Sequence, residues 1–465
     1  MSPPRANSAA ARDVANVFHP YTDLRAHQEA GPMIISRGDG IRVYDDSGKD
    51  YIESVAGLWC ASLGFSNERL AKAAYDQMIK LPFYHSFTAK SHEPMIDLAE
   101  MLIARAPVPM SKVFFSNSGS EANDSAVKMV WYYNNALGRT AKKKIIGRIK
   151  GYHGVTIASA SLTGLPNNHR SFDLPLPGFI HTMTPHFYHG GMEGESEDDF
   201  ATRCADELDK LIVAEGPDTV AAMFAEPIMG AGGVIVPPRG YFPKIQAVLK
   251  KHDVLLVVDE VICGFGRTGN YWGTQTFDIE PDLITCAKAL SSAYLPISAT
   301  LVSEKVFSVL ADESHKIGTF GHGVTYSGHP VPAAVAIETL KIYDEIGIAE
   351  LAATVGSFLQ EELHRRFDDH ELIGEVRGIG MIAAMELVAD KEARQNFDPT
   401  AKMGARLVKL CEAHGVIARG LPNDSLAFSP PLIMTKEDVT EMCDRVGQAL
   451  DELTIQVRRE RLAVV

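Results

Sequence analysis

The sequence predicts an α/β protein with a large domain built on a mostly parallel sheet and a smaller α+β domain. Three observations indicate this fold: short apolar runs, helix-like segments between them, and a change of pattern after about residue 332. A chain of 465 residues is also too long for one small core, which favours more than one domain.

The strands of the large domain are predicted from short apolar runs. Those in the middle of the chain are continuously apolar rather than alternating, which is typical of parallel strands covered on both faces. Helix-like segments separate them, as in residues 121–137 and 241–252, and this order indicates a doubly wound sheet. The predicted strands are residues 112–116, 144–149, 221–225, 254–259, 283–287 and 299–302.

The domain organisation follows from the same patterns. Residues 61–331 are expected to form the large domain, and residues 332–465 are expected to form the small domain. The N-terminal segment, residues 1–60, is expected to join the small domain. Within the small domain we predict one long helix over 333–368. It is followed by residues 373–387 and then by a strand, a loop and a final helix.

Composition and charge exclude several classes of function. The net charge is −14, whereas nucleic acids and anionic membranes need clustered positive charge, so neither is an expected partner. The sequence lacks a membrane-spanning apolar run and a signal peptide, and its six cysteines are too sparse for a disulfide framework, which together predict a reduced, cytoplasmic protein. The first 15 or so residues are rich in Ala, Ser, Pro and Asn and are expected to fray.

Two charged side chains follow apolar strands in the middle of the chain. One predicted strand runs into Asp259, and the next runs into Lys288. In open α/β sheets ligands bind outside the carboxyl ends of the strands, so both side chains are expected to face one crevice. Taken singly, an aspartate that caps a turn and a lysine that extends to solvent are the simpler interpretations.

An aspartate and a lysine together at such positions have a specific use in pyridoxal 5'-phosphate (PLP) enzymes. PLP needs a lysine amine for its Schiff base and a carboxylate for its pyridine nitrogen. At an effective dielectric constant of about 20, such a charge pair in contact gains roughly 4 kcal/mol, or about three pKa units, which holds the pyridine nitrogen protonated at neutral pH. Asp259 and Lys288 therefore predict a PLP site.

Two further motifs supply what a PLP site needs. In Ser118-Gly-Ser-Glu-Ala-Asn a strand gives way to a helix, whose free N–H groups and neighbouring hydroxyls bind phosphate. Alone, this motif would indicate only a helix N-cap. In Gly151-Tyr-His-Gly the glycines leave room for a flat ring to stack on Tyr152, although an aromatic side chain at a strand end is more often part of the core.

The order of motifs resembles that of the class III (subgroup II) aminotransferases, which are PLP enzymes of fold type I. The resemblance covers about residues 20–450, and the combination of motifs is specific although no single motif is. It rests on Ser118-Gly-Ser-Glu-Ala-Asn, Gly151-Tyr-His-Gly, Glu226-Pro, Asp259-Glu-Val, Gly264-Phe-Gly-Arg-Thr-Gly269, Lys288 and Thr325-Tyr-Ser-Gly-His-Pro330.

The resemblance implies a role for each matching residue. Lys288 would hold the cofactor and move the proton, and Asp259 would pair with the pyridine nitrogen. The other implied cofactor contacts are Ser118, Gly119 and Ser120 at the phosphate, Tyr152 and Val261 on the two ring faces, His153 and Glu226 beside the cofactor, and Thr325 at the phosphate of the partner subunit. The last contact implies a homodimer, or a dimer of dimers, with the site at its interface.

The resemblance on the substrate side is to ω-transaminases. Leu58 and Trp59 match a Leu-Trp pair whose tryptophan walls the pocket, and Trp59 in a core is the alternative. Tyr21 and Phe87 fall in segments that line the pocket, and Tyr152 would face the substrate as well.

Arg419 matches a mobile arginine that binds a substrate carboxylate. Such an arginine makes two parallel hydrogen bonds and moves away for an apolar amine, because burying it unpaired is costly. A surface ion pair is the alternative. Ornithine- and GABA-type relatives mask this arginine with a second glutamate, at the position that Ala231 occupies here. Ala231 therefore favours an amine:pyruvate enzyme over an ornithine or GABA enzyme.

A metal site is not expected. His181, His186 and His189 have a spacing compatible with metal binding, but the resemblance places a connecting segment here.

We therefore predict an (S)-selective ω-transaminase with a ping-pong mechanism. Its donor would be a primary amine or ω-amino acid, and its acceptor pyruvate or a similar 2-oxo acid. An aminomutase or decarboxylase on the same fold would keep Lys288 and Asp259 without an exchanging 2-oxo acid. A non-catalytic PLP-fold binding protein is the remaining alternative.

Overall fold

The computed structural model describes residue 5 and residues 7–463, to which the following bounds refer. The strands are β1 (Ile35–Asp39), β2 (Arg42–Asp45), β3 (Asp50–Glu53), β4 (Lys112–Ser116), β5 (Lys144–Arg148), β6 (Phe179–Thr182), β7 (Val220–Ala225), β8 (Leu255–Asp259), β9 (Leu283–Cys286), β10 (Ser298–Val302), β11 (Ile373–Ile379), β12 (Ile382–Leu387), β13 (Val416–Ile417), β14 (Arg419–Leu421) and β15 (Ser425–Phe428).

Helices cover both faces of the sheets and connect their strands. They are α1 (Ala9–Asn16), α2 (Leu24–Ala30), α3 (Ala56–Trp59), α4 (Glu68–Lys80), α5 (Glu93–Arg105), α6 (Gly119–Ala136), α7 (Ile157–Leu162), α8 (Phe187–Gly190), α9 (Glu197–Glu215), α10 (Tyr241–Lys251), α11 (Gly273–Thr276), α12 (Glu304–Ile317), α13 (Pro330–Ile346), α14 (Ile348–Phe367), α15 (Met403–Ala413) and α16 (Lys436–Glu460).

The central sheet has seven strands in the order β4-β10-β9-β8-β7-β5-β6. Strands β5 to β9 pair in parallel, and β10 is antiparallel to β4 and β9. Every residue of β7, β8 and β9 is buried, with one apolar cluster packed against each face of the sheet. The predicted α/β fold with a mostly parallel sheet is therefore confirmed. The strand β6 was not predicted.

The sheet brings Asp259 and Lys288 to the same edge. Asp259 is the last residue of β8, and it lies opposite Thr285 of the adjacent parallel strand β9. Lys288 follows the end of β9 and begins a short 3-10 turn. The expectation that both side chains lie at carboxyl ends of neighbouring strands is confirmed.

The two smaller sheets contain the N-terminal and C-terminal strands. One has the order β1-β2-β3-β13, so the N-terminal strands pair with a strand from the C-terminal region. The other, called the C-terminal sheet here, has the order β11-β12-β15-β14. The boundaries 1–60, 61–331 and 332–465 stay a prediction.

Two local expectations were wrong. The helix predicted over 333–368 is interrupted at Gly347, whose φ of +60° ends α13 in the left-handed conformation that glycine adopts readily. Residues 9–16 form α1 rather than fraying, because the Ser8 hydroxyl accepts a hydrogen bond from the Ala11 N–H and caps the helix. Residues 1–4 and 6 of the predicted frayed segment lie outside the described residues.

All six cysteines are free, and five of them are buried. None of the described helices combines the length and the apolar character needed to cross a membrane.

Candidate active site

A cavity of about 270 Å³ lies at the carboxyl ends of β8 and β9. It brings together most of the residues that the sequence predicted for the cofactor. Its lining residues are Leu58, Ser118, Gly119, Ser120, Asn123, Tyr152, His153, Gly154, Glu226, Asp259, Val261, Ile262 and Lys288.

Asp259 is held in one orientation by its neighbours. Its Oδ2 atom accepts a hydrogen bond from the Asn123 side-chain amide at 2.8 Å and lies 2.9 Å from His153 Nδ1. Its Oδ1 atom accepts from the Val261 N–H at 3.1 Å. Because the side chain is only 4% exposed and has these three partners, its orientation in the cavity is fixed.

Lys288 is buried, and its backbone is strained. Burial lowers the pKa of its amine, while the nearby Asp259 carboxylate acts in the opposite direction. The φ of Lys288 is +49°, a left-handed conformation that residues with side chains rarely adopt. Such strain persists only where the surrounding structure imposes it, and it concentrates at functional sites.

The start of α6 lines the same cavity. The Ser118 hydroxyl caps the helix by accepting from the Glu121 N–H at 3.2 Å, as the N-cap interpretation predicted. The Ser120 hydroxyl accepts from the Val155 N–H at 3.1 Å. A Cβ on Gly119 would lie 3.0 Å from a Val261 methyl carbon, so the helix start approaches Val261 closely.

Tyr152 and Glu226 are linked through the backbone. The Tyr152 N–H donates to Glu226 Oε1 at 3.0 Å, and the Gly230 N–H donates to Oε2 at 3.0 Å. Burial raises the pKa of the Glu226 carboxyl. Burial, together with the adjacent Tyr21 hydroxyl, raises the pKa of Tyr152, which keeps its phenol protonated.

Trp59 and Arg419 contact each other beside the cavity. The Trp59 side chain is buried in an apolar cluster, as the core alternative expected, and the Arg419 guanidinium carbon lies 5.2 Å from its ring centre. Burial lowers the pKa of Arg419, and its buried Nε has no hydrogen-bond partner among the described residues. Within that part of the chain Arg419 forms no ion pair, in contrast to the surface-pair alternative.

The other predicted substrate residues lie at different distances from the cavity. Leu58 lines it and is 48% exposed. The Tyr21 hydroxyl accepts a hydrogen bond from the Asn168 side chain at 2.6 Å, and Tyr21 is 67% exposed. Ala231 packs on the same apolar cluster as Trp59.

Phe87 and Thr325 do not line this cavity. Phe87 borders a separate surface hollow with residues 319–323, and its ring is close to Gly323. Thr325 is exposed. The structure of one chain therefore does not bring either residue to Lys288.

The three histidines of the predicted connecting segment do not converge on one point. His181 lies in β6, a strand that was not predicted and that pairs with β5. His186 contacts Glu375 and His189 contacts Glu386. The cluster of His186, Glu375 and Glu386 has metal-ligand chemistry, but Arg377 already donates to both carboxylates.

Asn123 is the functional residue that sequence reasoning missed. It is 1% exposed, and its amide donates to Asp259 while its oxygen accepts from Thr285 at 2.9 Å. A polar residue four positions after Gly119 lies on the same helix face, which could have indicated a second contact to the site.

The comparisons with known proteins agree with this geometry. The aminotransferase class-III family matches residues 24–450.

The chain belongs to the class-III aminotransferases.

A solved omega transaminase from Pseudomonas jessenii in complex with PMP is 56% identical to this aminotransferase, with a TM-score of 0.95 over 97% of this chain and 99% of that one. A thermostable 6-fold mutant of the omega transaminase from Pseudomonas jessenii gives the same values. Gamma aminobutyrate transaminase 3, chloroplastic, from Solanum lycopersicum is 49% identical over 438 residues, 94% of this chain and 84% of that protein.

The family expectation from the motifs is confirmed, and this aminotransferase uses PLP. The cavity fits that cofactor by its chemistry, since it combines a buried amine, a fixed carboxylate and a helix start with hydroxyls. The curated relatives are named for γ-aminobutyrate, however, although Ala231 had favoured an amine:pyruvate enzyme over a GABA enzyme.

Proposed function

We propose that this class-III aminotransferase is an (S)-selective ω-transaminase. It moves an amino group from a primary amine or ω-amino acid to pyruvate or a similar 2-oxo acid by a ping-pong mechanism. The observation that carries the proposal is the convergence of Lys288, Asp259 and Tyr152 in one cavity, with the unpaired Arg419 Nε close by.

The cofactor residues have distinct tasks in this proposal. PLP, when bound, supplies the electron sink that stabilises negative charge on the reacting carbon of the substrate. Asp259 would pair with its ring nitrogen, Tyr152 and Val261 would pack against its ring, and the start of α6 with Ser118, Gly119 and Ser120 would hold its phosphate. His153 and Asn123 keep Asp259 oriented, and Glu226 holds the Tyr152 backbone.

Lys288 carries the cofactor and moves the proton. Burial lowers the pKa of its amine and so increases the neutral fraction, which is the form that attacks a carbonyl and accepts a proton. Its position at the end of β9 places Nζ within the same cavity as Asp259.

Arg419 allows the same pocket to accept both a carboxylate and an apolar group. A guanidinium binds a carboxylate through two parallel hydrogen bonds, and a buried arginine without a partner is costly. Arg419 therefore binds the carboxylate of the 2-oxo acid and turns away when an apolar amine occupies the same space. Trp59 supports the guanidinium through its ring. Tyr21, Leu58 and Ala231 of the same chain would form the rest of the pocket, and Phe87 would come from the partner subunit.

The donor class includes ω-amino acids as well as simple amines. The relatives at 49–50% identity are named γ-aminobutyrate transaminases, while the solved relatives at 56% identity are named omega transaminases. Both substrate classes have an amine on a primary or secondary carbon with no carboxylate beside it, so one pocket serves both.

The active enzyme is a homodimer or a dimer of dimers in this proposal. Thr325 and Phe87 lie outside the cavity of their own chain, and both are exposed. A partner subunit would bring its own Thr325 to the cofactor phosphate. A cytoplasmic location is also part of the proposal, supported by six free cysteines.

The test is an absorbance spectrum of the PLP-loaded protein before and after addition of a chiral primary amine without acceptor. Of the two enantiomers of the chiral amine, we expect only the (S)-form to remove the band of the lysine-bound cofactor. The achiral γ-aminobutyrate should remove it as well, and pyruvate should restore it. Equal decay with both enantiomers would contradict the selectivity. A band that no amine bleaches would favour the aminomutase or decarboxylase alternative.

A further inference from the structure

Arg377 lies outside the cavity and contacts two elements, the turn that contains Ala231 and the β14–β15 hairpin that contains Arg419. It belongs to β11 and is 7% exposed. Its Nε donates to the Gly233 carbonyl oxygen at 2.8 Å, and one terminal nitrogen donates to the Ser425 hydroxyl at 3.0 Å. The same side chain thus connects a loop that follows β7 to the C-terminal sheet.

Two carboxylates, the buried Glu386 and the partly buried Glu375, fix the direction of this guanidinium. Its other terminal nitrogen donates to Glu375 at 2.7 Å and to Glu386 at 2.8 Å. Each carboxylate has a second partner, His186 or His189, from the segment before α9. Since a guanidinium is planar and rigid, fixing one edge also fixes the N–H groups that reach Gly233 and Ser425.

The loop that Arg377 contacts is hydrogen-bonded to residues of the cofactor site. The Gly233 N–H donates to the Gly230 carbonyl oxygen at 3.1 Å, which closes a tight turn. The Gly230 N–H donates to Glu226, the carboxylate that also receives the Tyr152 N–H. A Cβ on Gly233, whose φ is +132°, would lie 3.2 Å from the nearer Arg377 nitrogen, so the turn is closed directly against the arginine.

The sheet side leads to the carboxylate-binding arginine. Ser425 is the first residue of β15 and pairs with Leu421, the last residue of the edge strand β14. Arg419 is the first residue of β14 and pairs with Ala427. Fixing Ser425 therefore fixes the hairpin from which Arg419 extends.

We propose that Arg377 is a positioning residue for substrate recognition. It sets the distance between the turn that carries Ala231 and the β14–β15 hairpin, and so aims Arg419 at a substrate carboxylate. The inference rests on the proposed function, which assigns carboxylate binding to Arg419. A lysine at 377 keeps the charge that the two carboxylates require, but it cannot donate in the three fixed directions.

The experiment compares Arg377→Lys with Arg366→Lys. Arg366 also pairs with two carboxylates, Glu362 and Asp444, but it lies on α14 and contacts no pocket element. Both half-reactions are followed by cofactor absorbance, one with pyruvate and one with an (S)-amine that has no carboxylate. For Arg377→Lys we expect a raised KM for pyruvate and a kcat/KM lower by on the order of 10²-fold, because small misplacements have effects of this size.

The amine half-reaction of Arg377→Lys should keep its kcat, and Arg366→Lys should match the wild type in both half-reactions. Equal losses in both half-reactions at unchanged KM would mean that Arg377 only stabilises the fold, and the inference would be wrong.

If Arg377→Lys does not fold, Ser425→Ala takes its place: a raised KM for pyruvate alone supports the inference, and an unchanged KM contradicts it. Wild-type enzyme that converts no 2-oxo acid overturns the proposed function and the inference with it, whereas a normal wild type beside an unaffected Arg377→Lys overturns the inference alone.

Discussion

Asp259 and Lys288 extend from the ends of two adjacent buried strands, whereas Leu58 lines the same cavity from an exposed position and Tyr21 lies outside the cavity lining. Asp259 is 4% exposed, compared with 48% for Leu58 and 67% for Tyr21. The strands leave the cofactor side little freedom, because their register is fixed on both sides. Leu58 and Tyr21 are more exposed, so these side chains can adapt to different substrates.

The cofactor side and the substrate side of the cavity also have different chemical tasks. Reaction type depends on groups that a parallel sheet holds at its edge, which is the usual ligand position in such folds. In the proposed function, substrate choice depends on Arg419, which lies on the edge strand of the C-terminal sheet and whose Nε has no hydrogen-bond partner among the described residues. Substitutions on the two sides should therefore fail in different ways.

The largest effect is expected for Lys288→Ala on the cofactor side. Transamination should fall at least about 10⁴-fold, because both cofactor attachment and proton movement are lost. Initial rates with an (S)-amine and pyruvate measure this, and the band of the lysine-bound cofactor should be absent. Lys316→Ala, on the exposed end of α12, is the control. Substantial activity in Lys288→Ala would refute the assignment of the whole site.

The second-largest loss of activity is expected for Asp259→Asn. The loss of a charge pair worth roughly 4 kcal/mol corresponds to about a 10³-fold lower kcat. The neighbouring Glu260→Gln is the matched control, since Glu260 accepts hydrogen bonds from Gly273 and Thr274 rather than facing the cavity. It should keep most of its kcat. Similar losses in both variants would show that packing at the end of β8, and not the charge, limits the rate.

Arg419→Gln tests the substrate side. Its KM for pyruvate should rise by about 10- to 100-fold, because hydrogen bonds to a charged group contribute about 1.5–3 kcal/mol. Turnover of an amine without a carboxylate should change little. Steady-state kinetics with pyruvate and the amine varied separately measure both effects. Equal changes in the kinetic constants for both substrates would contradict a specific role of Arg419 in carboxylate binding.

The smallest effect concerns stability and pH. Burial raises the pKa of Glu260 to about 7. The folded protein therefore keeps this proton between about pH 4.5 and 7, where the unfolded chain has released it, so the free energy of unfolding should decrease as pH rises through that range. In Glu260→Gln the decrease should be shallower. Chemical unfolding at several pH values measures it, and identical slopes in both proteins would contradict the shift.

The sequence was informative where the fold is regular. Continuous apolar runs located the strands that carry Asp259 and Lys288 to within a residue or two, because full burial on both faces leaves a clear pattern. It was less informative for helices: nothing in the periodicity of 333–368 showed that Gly347 would end α13. A single glycine inside a helical pattern is often tolerated, so its role depends on tertiary packing.

The substrate side was predicted from resemblance rather than from pattern. Trp59 and Arg419 are distant in sequence, and only the fold brings the guanidinium over the ring. Arg377 was missed for the same reason, because its partners belong to other strands and loops and no local spacing indicates a contact across such distances. Asn123 was missed although its spacing from Gly119 along α6 could have indicated its contact to the site.

The left-handed backbone of Lys288 implies that thermal stability and catalytic activity favour different residues at this position. A residue with a Cβ in this conformation costs of order 1–3 kcal/mol, and glycine does not incur that cost. Replacing Lys288 with glycine should therefore give a protein that survives heating better than its active parent. Selection for thermal resistance alone would favour inactive enzyme at this position, so any such screen of this aminotransferase has to include activity.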